Sequence, residues 1–133
     1  MHRVVLDTNV IVSAVISKGK PRELLNRGIE SRFSLVISES ILKEIETVLR
    51  RPKFKTNEGE AQRIILAVMQ SGDMVRVESD FRVIENDPGD NMILNAAHDG
   101  RANFIVTGDK DILRLKNFKG IRILSVSEAL DLI

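Results

Sequence analysis

Hydrophobic positions along this chain fall into two kinds of pattern, short continuous apolar runs and longer stripes at helical spacing. Arg3–Leu6 (RVVL) is a run of the first kind, closes on Asp7, and predicts a buried strand. Val10–Ser17 stays apolar with Ser and Ala admixed and predicts a helix opening just after Asp7. Pro21 suits the first position of a second helix, with Leu24, Leu25 and Ile29 at helical spacing. Phe33–Ile37 (FSLVI) predicts the second strand. Ser38 or Ser40 caps the next helix, whose buried stripe is Ile41, Ile45, Val48 and Leu49, and Pro52 ends it by Arg51. A polar turn around Lys53–Glu58 leads to a helix with Ile64, Ile65, Val68 and Met69 inward, followed by a third strand at Met74–Val77. Asp87-Pro88 supplies an N-cap and a first helical residue for a helix running to about Asp99, with Gly100 past its end. Phe104–Val106 and Ile121–Leu124 predict the fourth and fifth strands, with a short helix at Asp111–Leu115 between them. Ser125-x-x-Glu128 is a capping-box pattern for the last helix.

Strands alternating with helices predict an α/β layer fold with a mostly parallel sheet. In such sheets ligands bind outside the carboxyl ends of the strands, where the strand order reverses. Asp7 follows the first strand immediately, and Thr107-Gly108-Asp109 follows the fourth. If those two strands are neighbours at the reversal, their acids converge.

Composition narrows the class. A chain of 133 residues, 43% apolar and 29% charged, suits one globular domain with a proper core, expected to span 1–133. No apolar run approaches the ~20 residues needed to cross a bilayer, so no membrane partner is expected, and no secretory signal is read at the start. The absence of cysteine excludes disulfides and thiolate metal sites and fits a reducing cytoplasm, the expected location. Two histidines, His2 and His98, leave little for a zinc site. The net charge of +1 hides an asymmetry: residues 1–55 carry eleven Lys/Arg against six Asp/Glu, and residues 56–133 carry nine against thirteen. A basic segment beside an acidic one fits either an anionic partner next to a carboxylate site or ordinary solvated faces.

The acids decide more. Asp7 in DTN, and Asp109 and Asp111 in VTGDKDIL, each read singly as turn or capping residues. Asp90 does not, because at about 100° per residue it points along the stripe of Ile93, Leu94 and Ala97. An acid on the buried face of a first helical turn is partly met by the helix dipole and better met by a cation or a polar cleft at that end. Asp87 reads as a plain cap. Glu44 and Glu46 lie on opposite borders of the Ile41/Ile45/Val48 stripe, and periodicity does not choose between them. Taken together, acids at two strand ends and on one helix point to a Mg²⁺ or Mn²⁺ site, since hard cations take oxygen ligands. Such sites stabilise attacking and leaving oxygens in phosphodiester cleavage.

The segments VVLDTNVIVSAV, SESILKEIETVL, DPGDNMILNAA and FIVTGDKDILRL, in this order and spacing, closely resemble a PIN-domain ribonuclease of the kind found as the toxin of prokaryotic toxin–antitoxin pairs. The resemblance covers nearly the whole chain. It implies a three-layer α/β/α fold with a five-stranded parallel sheet in which strands one and four are central neighbours. It places the acidic set at Asp7, Glu44, Asp90 and Asp109, thereby selecting Glu44 over Glu46. Asp111 matches a further acid, and Asn9 and Thr107 match polar residues flanking the site. The implied activity is hydrolysis of single-stranded RNA with Mg²⁺ or Mn²⁺, Asp7, Asp90 and Asp109 holding metal and Glu44 ligating through water or positioning it. The implied partners are an antitoxin and a second copy in a homodimer. In RRPKFK, Arg50, Arg51, Lys53 and Lys55 suit phosphate contact, with Phe54 available for stacking; a solvated helix connection is the plainer reading.

Other classes fit less well. A phosphohydrolase forming a phosphoryl-aspartate wants a second Asp two residues after the first, and that position is Asn9. A phospho-receiver wants a Lys after the last strand, where Ser125-Val126-Ser127 stands. Neither GxGxxG nor GxxxxGK[ST] is present for nucleotide binding. An RNA-processing or non-catalytic RNA-binding role of the same fold stays open on these residues.

Overall fold

In the computed structural model, which describes residues 1–53, 58–85 and 87–133, the apolar run at the start forms the central strand β1 (Arg3–Leu6). Val4, Val5 and Leu6 are all buried, as expected of a parallel strand covered on both faces. Asp7 sits at its end and opens α1 (Thr8–Ile16), followed by α2 (Lys20–Ile29) and β2 (Ser34–Ser38). Then come α3 (Glu39–Leu49), α4 (Glu58–Ser71), β3 (Asp73–Val75), α5 (Pro88–Asp99) and β4 (Phe104–Val106). The chain ends with α6 (Lys110–Leu113), β5 (Asn117–Phe118), β6 (Ile121–Leu124) and α7 (Val126–Leu132). Ser38 caps α3 by accepting from the Ile41 N–H, and Ser125 and Glu128 form the capping box of α7.

The strands are ordered β3-β2-β1-β4-β6-β5. All pair in parallel except β5, which runs antiparallel to β6. The sheet therefore has six strands, not the five expected. The extra one is a two-residue edge strand turned back by Lys119 and Gly120, both with positive φ (48° and 82°), as a two-residue hairpin of type I′ requires. The third strand stops at Val75 instead of Val77. Its partner β2 ends at Ser38, which pairs with Val75 and there becomes the cap of α3, so nothing remains for Arg76 and Val77 to pair with.

Connections from β1 through β2 to β3 step in one direction, and the connection to β4 steps back across three strands. Right-handed crossovers then put α1–α4 on one face and α5 on the other. Packing agrees: α1 contacts α2, α3 and α4, whereas α5 lies on β1, β2 and β4. Gly100, just past α5, permits that close approach, since a Cβ there would meet Val36 Cγ1 at 2.5 Å. On the other face Arg22 donates to the Ala14 and Val15 carbonyls (2.7 Å each) and pairs with Glu60 at 2.8 Å, tying α1, α2 and α4 together. Between β1 and β4 the strand order reverses, and the register pairs Leu6 with Val106. Asp7 and Thr107 are thus the next rung, at the carboxyl edge.

Between β3 and α5, residues 76–85 form no helix or strand, yet backbone groups of Glu78, Ser79, Phe81, Val83 and Ile84 are held by one stripe of α5. Asn91 accepts from the Val83 and Ile84 N–H groups (2.9 Å each) and donates to the Ile84 carbonyl (2.8 Å). Asn95, one turn on, accepts from the Phe81 N–H (2.7 Å) and donates to its carbonyl (3.0 Å). Asp99, a further turn on, accepts from the Glu78 and Ser79 N–H groups at 2.6 and 2.8 Å. An asparagine side chain carries the donor and acceptor of a peptide group, so this ladder satisfies a strap that the sheet cannot.

Candidate metal centre

Three carboxylates meet at the carboxyl edge of the sheet. Asp90 in the first turn of α5, Asp109 at the N-cap of α6 and Asp111 within α6 each place an oxygen within 4.8 Å of the other two. Asp109 Oδ1 accepts from the Asp111 and Ile112 N–H groups at 2.8 and 3.3 Å, which fixes its carboxylate and leaves the second oxygen outside the cap. Asp90 is 7% exposed, on the buried face that its spacing predicts.

Asp7 lies outside this tight group but in its field, and Glu44 lies in the field of Asp7 and Asp87. Asp7, 5% exposed, accepts at Oδ2 from the Thr107 hydroxyl at 2.7 Å, and that hydroxyl accepts from the Asp109 N–H at 2.9 Å. Thr107, fully buried, therefore links the acid after β1 to the acid after β4. Burial pushes the Asp7 pKa above its ordinary 3.8, the Thr107 hydroxyl pulls it down, and the Asp109 charge adds to the rise. Glu44, half-buried on α3, is pushed above 4.5 by burial and then by Asp7 and Asp87, with Arg51 acting in the opposite sense. Burial, followed by Asp109, Asp87, Asp7 and Asp111, pushes Asp90 from 3.8 up to about 7. Crowded, desolvated carboxylates all move in this direction until a cation joins them.

The donors present suit a divalent cation. All are carboxylate oxygens, the set that Mg²⁺ and Mn²⁺ prefer. Moreover, Asp90 Oδ2 is buried with no hydrogen-bond partner among the described residues. Leaving such an acceptor unmatched costs roughly 1–3 kcal/mol, and more when it is charged. A cation at the cluster removes that cost. The residues fit.

Of the remaining expected residues, Asn9 is exposed in the first turn of α1, where its backbone N–H and that of Thr8 hold the Asp7 pKa down. Glu46 faces the groove between α3 and α4 with Leu49, Arg50, Leu66 and Met69, away from the acids. Arg50 thus belongs to that groove, Arg51 to the flank of Glu44, and Lys53 to the exposed turn after α3. Phe54 and Lys55 lie outside the described residues. Two neighbours of the acids escaped the sequence reading. Asp87 does cap α5, accepting from the Gly89 N–H at 2.9 Å, but its charge also reaches Glu44 and Asp90. Arg114 pairs with Asp111 at 3.5 Å. Their spacing of three residues from Asp90 and Asp111, one helical turn, was the signal available for both.

Fold and site define a doubly wound α/β protein with an acidic cluster at its topological switch point. The PIN domain family model matches residues 3–111, a span that contains all five acids, and the chain belongs to the PIN-domain family. It is 34% identical over 119 residues to the uncharacterized protein MJ1680 of Methanocaldococcus jannaschii, an alignment covering 86% of this chain and 76% of that protein. It is 25% identical over 112 residues to Ribonuclease VapC4 of the same organism, covering 84% and 80%. Among solved structures, it is similar to a chain in the crystal structure of VapBC2 from Rickettsia felis bound to a DNA fragment from their promoter. That match has a TM-score of 0.62 at 16% identity, covers 92% of this chain and 98% of that one, and speaks to the fold.

Proposed function

We propose that this chain is a Mg²⁺- or Mn²⁺-dependent endoribonuclease that hydrolyses single-stranded RNA, and that it acts as the toxin of a toxin–antitoxin pair. The observation that carries the reading is the convergence of Asp90, Asp109 and Asp111 around a buried, unpartnered carboxylate oxygen. Similarity to a protein named Ribonuclease VapC4 supports the ribonuclease assignment. Likeness to a chain of VapBC2 supports an antitoxin partner. The family resemblance implies the homodimer, and a chain without cysteine suits the cytoplasmic location proposed with it. Among the described residues no helix is long and apolar enough to cross a membrane.

In this reading Asp7, Asp90, Asp109 and Asp111 hold the metal. Once bound, the cation supplies activation of water and neutralisation of charge developing on the scissile phosphate. Thr107 keeps the Asp7 carboxylate turned toward Asp109, and the cap formed by Asp109 keeps α6 in register with it. Glu44, outside the tight group and raised in pKa, positions the attacking water and takes up its proton.

The test is cleavage of an end-labelled, unstructured RNA. Cleavage should require Mg²⁺ or Mn²⁺, stop in excess EDTA and be lost in Asp90→Asn protein that still folds. Equal cleavage with and without EDTA would overturn the reading.

A further inference from the structure

The acids create a difficulty for any polyanionic substrate. Asp109, Asp87, Asp7 and Asp111 all act on Asp90, and Asp7 and Asp87 act on Glu44, so one or two divalent ions cannot neutralise these six acids together with the phosphates of an RNA strand. Cations at the rim must do the rest. Two arginines stand there, on opposite sides in sheet order.

Arg51 belongs to the β2 side. Its N–H donates to the Val48 carbonyl at 3.2 Å, a turn that closes just past the end of α3. Its charge reaches Glu44, where it acts against the rise in pKa. Its side chain is exposed. Arg114 belongs to the β4 side, at the end of α6, with its side chain 76% exposed. Its one ion pair, to Asp111 at 3.5 Å, is an exposed pair three residues apart on one helix. Such pairs are weak, so the guanidinium is readily transferred to a phosphate, which it can grip with two parallel N–H donors.

We propose that Arg51 and Arg114 are the two phosphate contacts of this site, one on each flank, and that they hold a single RNA strand across the acid cluster by phosphates on either side of the bond to be cut. The inference rests on the ribonuclease reading and goes beyond it by assigning the strand's path, from the end of α3 over Asp7 and Asp109 to the end of α6. It separates Arg51 from Arg50, whose groove lies elsewhere, and adds a residue remote from the basic run.

The test is binding of a short, fluorescein-labelled single-stranded RNA, read by anisotropy over a series of salt concentrations with Ca²⁺ in place of Mg²⁺. Arg51→Gln and Arg114→Gln should each weaken binding several-fold and lower the slope of log K against log salt by about 0.7, the value for one phosphate contact on a single strand. Arg51→Lys and Arg114→Lys should retain the slope. In cleavage assays both Gln variants should raise KM by more than they lower kcat, because Arg51 also acts on Glu44 and Arg114 on Asp111. Arg101→Gln, at the opposite edge of the sheet, controls for net charge. Wild-type slopes in both Gln variants, or an equal loss in Arg101→Gln, would overturn the inference while leaving the ribonuclease reading intact. A wild-type protein that neither binds nor cuts RNA would overturn both.

Discussion

The hydroxyl of Thr107 donates to Asp7 Oδ2 across 2.7 Å, joining the residue that follows β4 to the residue that follows β1. Because the same oxygen accepts from the Asp109 N–H at 2.9 Å, one fully buried atom sets the spacing of two acids carried by different strands. Thr107→Val keeps the shape and removes both bonds. The Asp109 N–H then loses its partner, at a stability cost of about 1–3 kcal/mol in denaturant unfolding. RNA cleavage should fall roughly 10- to 100-fold, the range for groups that orient metal ligands. Thr107→Ser should restore most of both. Wild-type cleavage in a Thr107→Val protein would mean that Asp7 needs no such orientation.

Asp90 makes the metal-free protein sensitive to pH near neutrality. Its pKa rises from 3.8 to about 7 because the carboxyl is buried first and repelled by Asp109, Asp87, Asp7 and Asp111 second. Between those values the folded chain keeps a proton that the unfolded chain has released, so stability falls as pH rises through that window. Asp90→Asn removes the penalty. In EDTA at a pH just above 7, the variant should melt roughly 5 °C or more above wild type, and the two should converge near pH 4. Saturating Mn²⁺ should raise the wild-type melting temperature and leave the variant almost unmoved. Parallel melting curves across the whole pH range would contradict this account.

Asp99 behaves with the opposite sign. The Ser79 N–H foremost, then that of Glu78, holds its pKa below 3.8. Its bonds to the strap are therefore complete above the ordinary carboxylate pKa and are lost as pH falls through the lowered value. Hydrogen exchange at Glu78 and Ser79 should accelerate relative to the intrinsic rate on acidification below that point, ahead of Phe81 and Ile84, which are held by uncharged asparagines. Simultaneous release of all four amides would show that the strap opens as one unit.

Elements that bury a clear pattern were legible in the sequence. The strands β1, β2, β4 and β6 are short apolar runs, and α5 shows both its cap at Asp87 and its buried stripe including Asp90. Convergence of the acids after the first and fourth strands was expected if those strands were neighbours at the reversal, and the family resemblance supplied that they are; the sheet order bears it out. Other features left no such trace. The two-residue β5 is too short for any period, and its turn uses Lys119 where Asn or Asp would have signalled a hairpin. Glu44 and Glu46 border one stripe symmetrically, so periodicity left the choice to the family resemblance, and the packing of α3 separates them physically, with the α4 groove beside Glu46 and the acids beside Glu44. The strap was invisible because its partners are side chains of a helix that follows it, at separations of 7 to 21 residues, which impose no local spacing.

That strap gives the last expectation. Asn91 neighbours Asp90 in the first turns of α5, and its three bonds to Val83 and Ile84 pin the chain shortly before Asp87 and Asp90. Asn91→Asp preserves size and acceptor but loses the donor to the Ile84 carbonyl and places a further charge in a buried position beside the acids. Asn91→Ala loses both functions without adding charge. Each bond of this kind contributes about 1 kcal/mol, and a buried unmatched group costs more, so Asn91→Ala should lose about 2–3 kcal/mol and Asn91→Asp at least as much. Amide exchange at Val83 and Ile84 should lose protection in both variants, while Ser79 and Phe81, held by Asn95 and Asp99, stay protected. If the strap serves the acids as well as the fold, Mn²⁺ affinity measured by calorimetry should fall in Asn91→Ala under conditions where the protein remains folded. Unchanged affinity together with lost amide protection would confine Asn91 to stability and leave the placement of Asp90 to α5 alone.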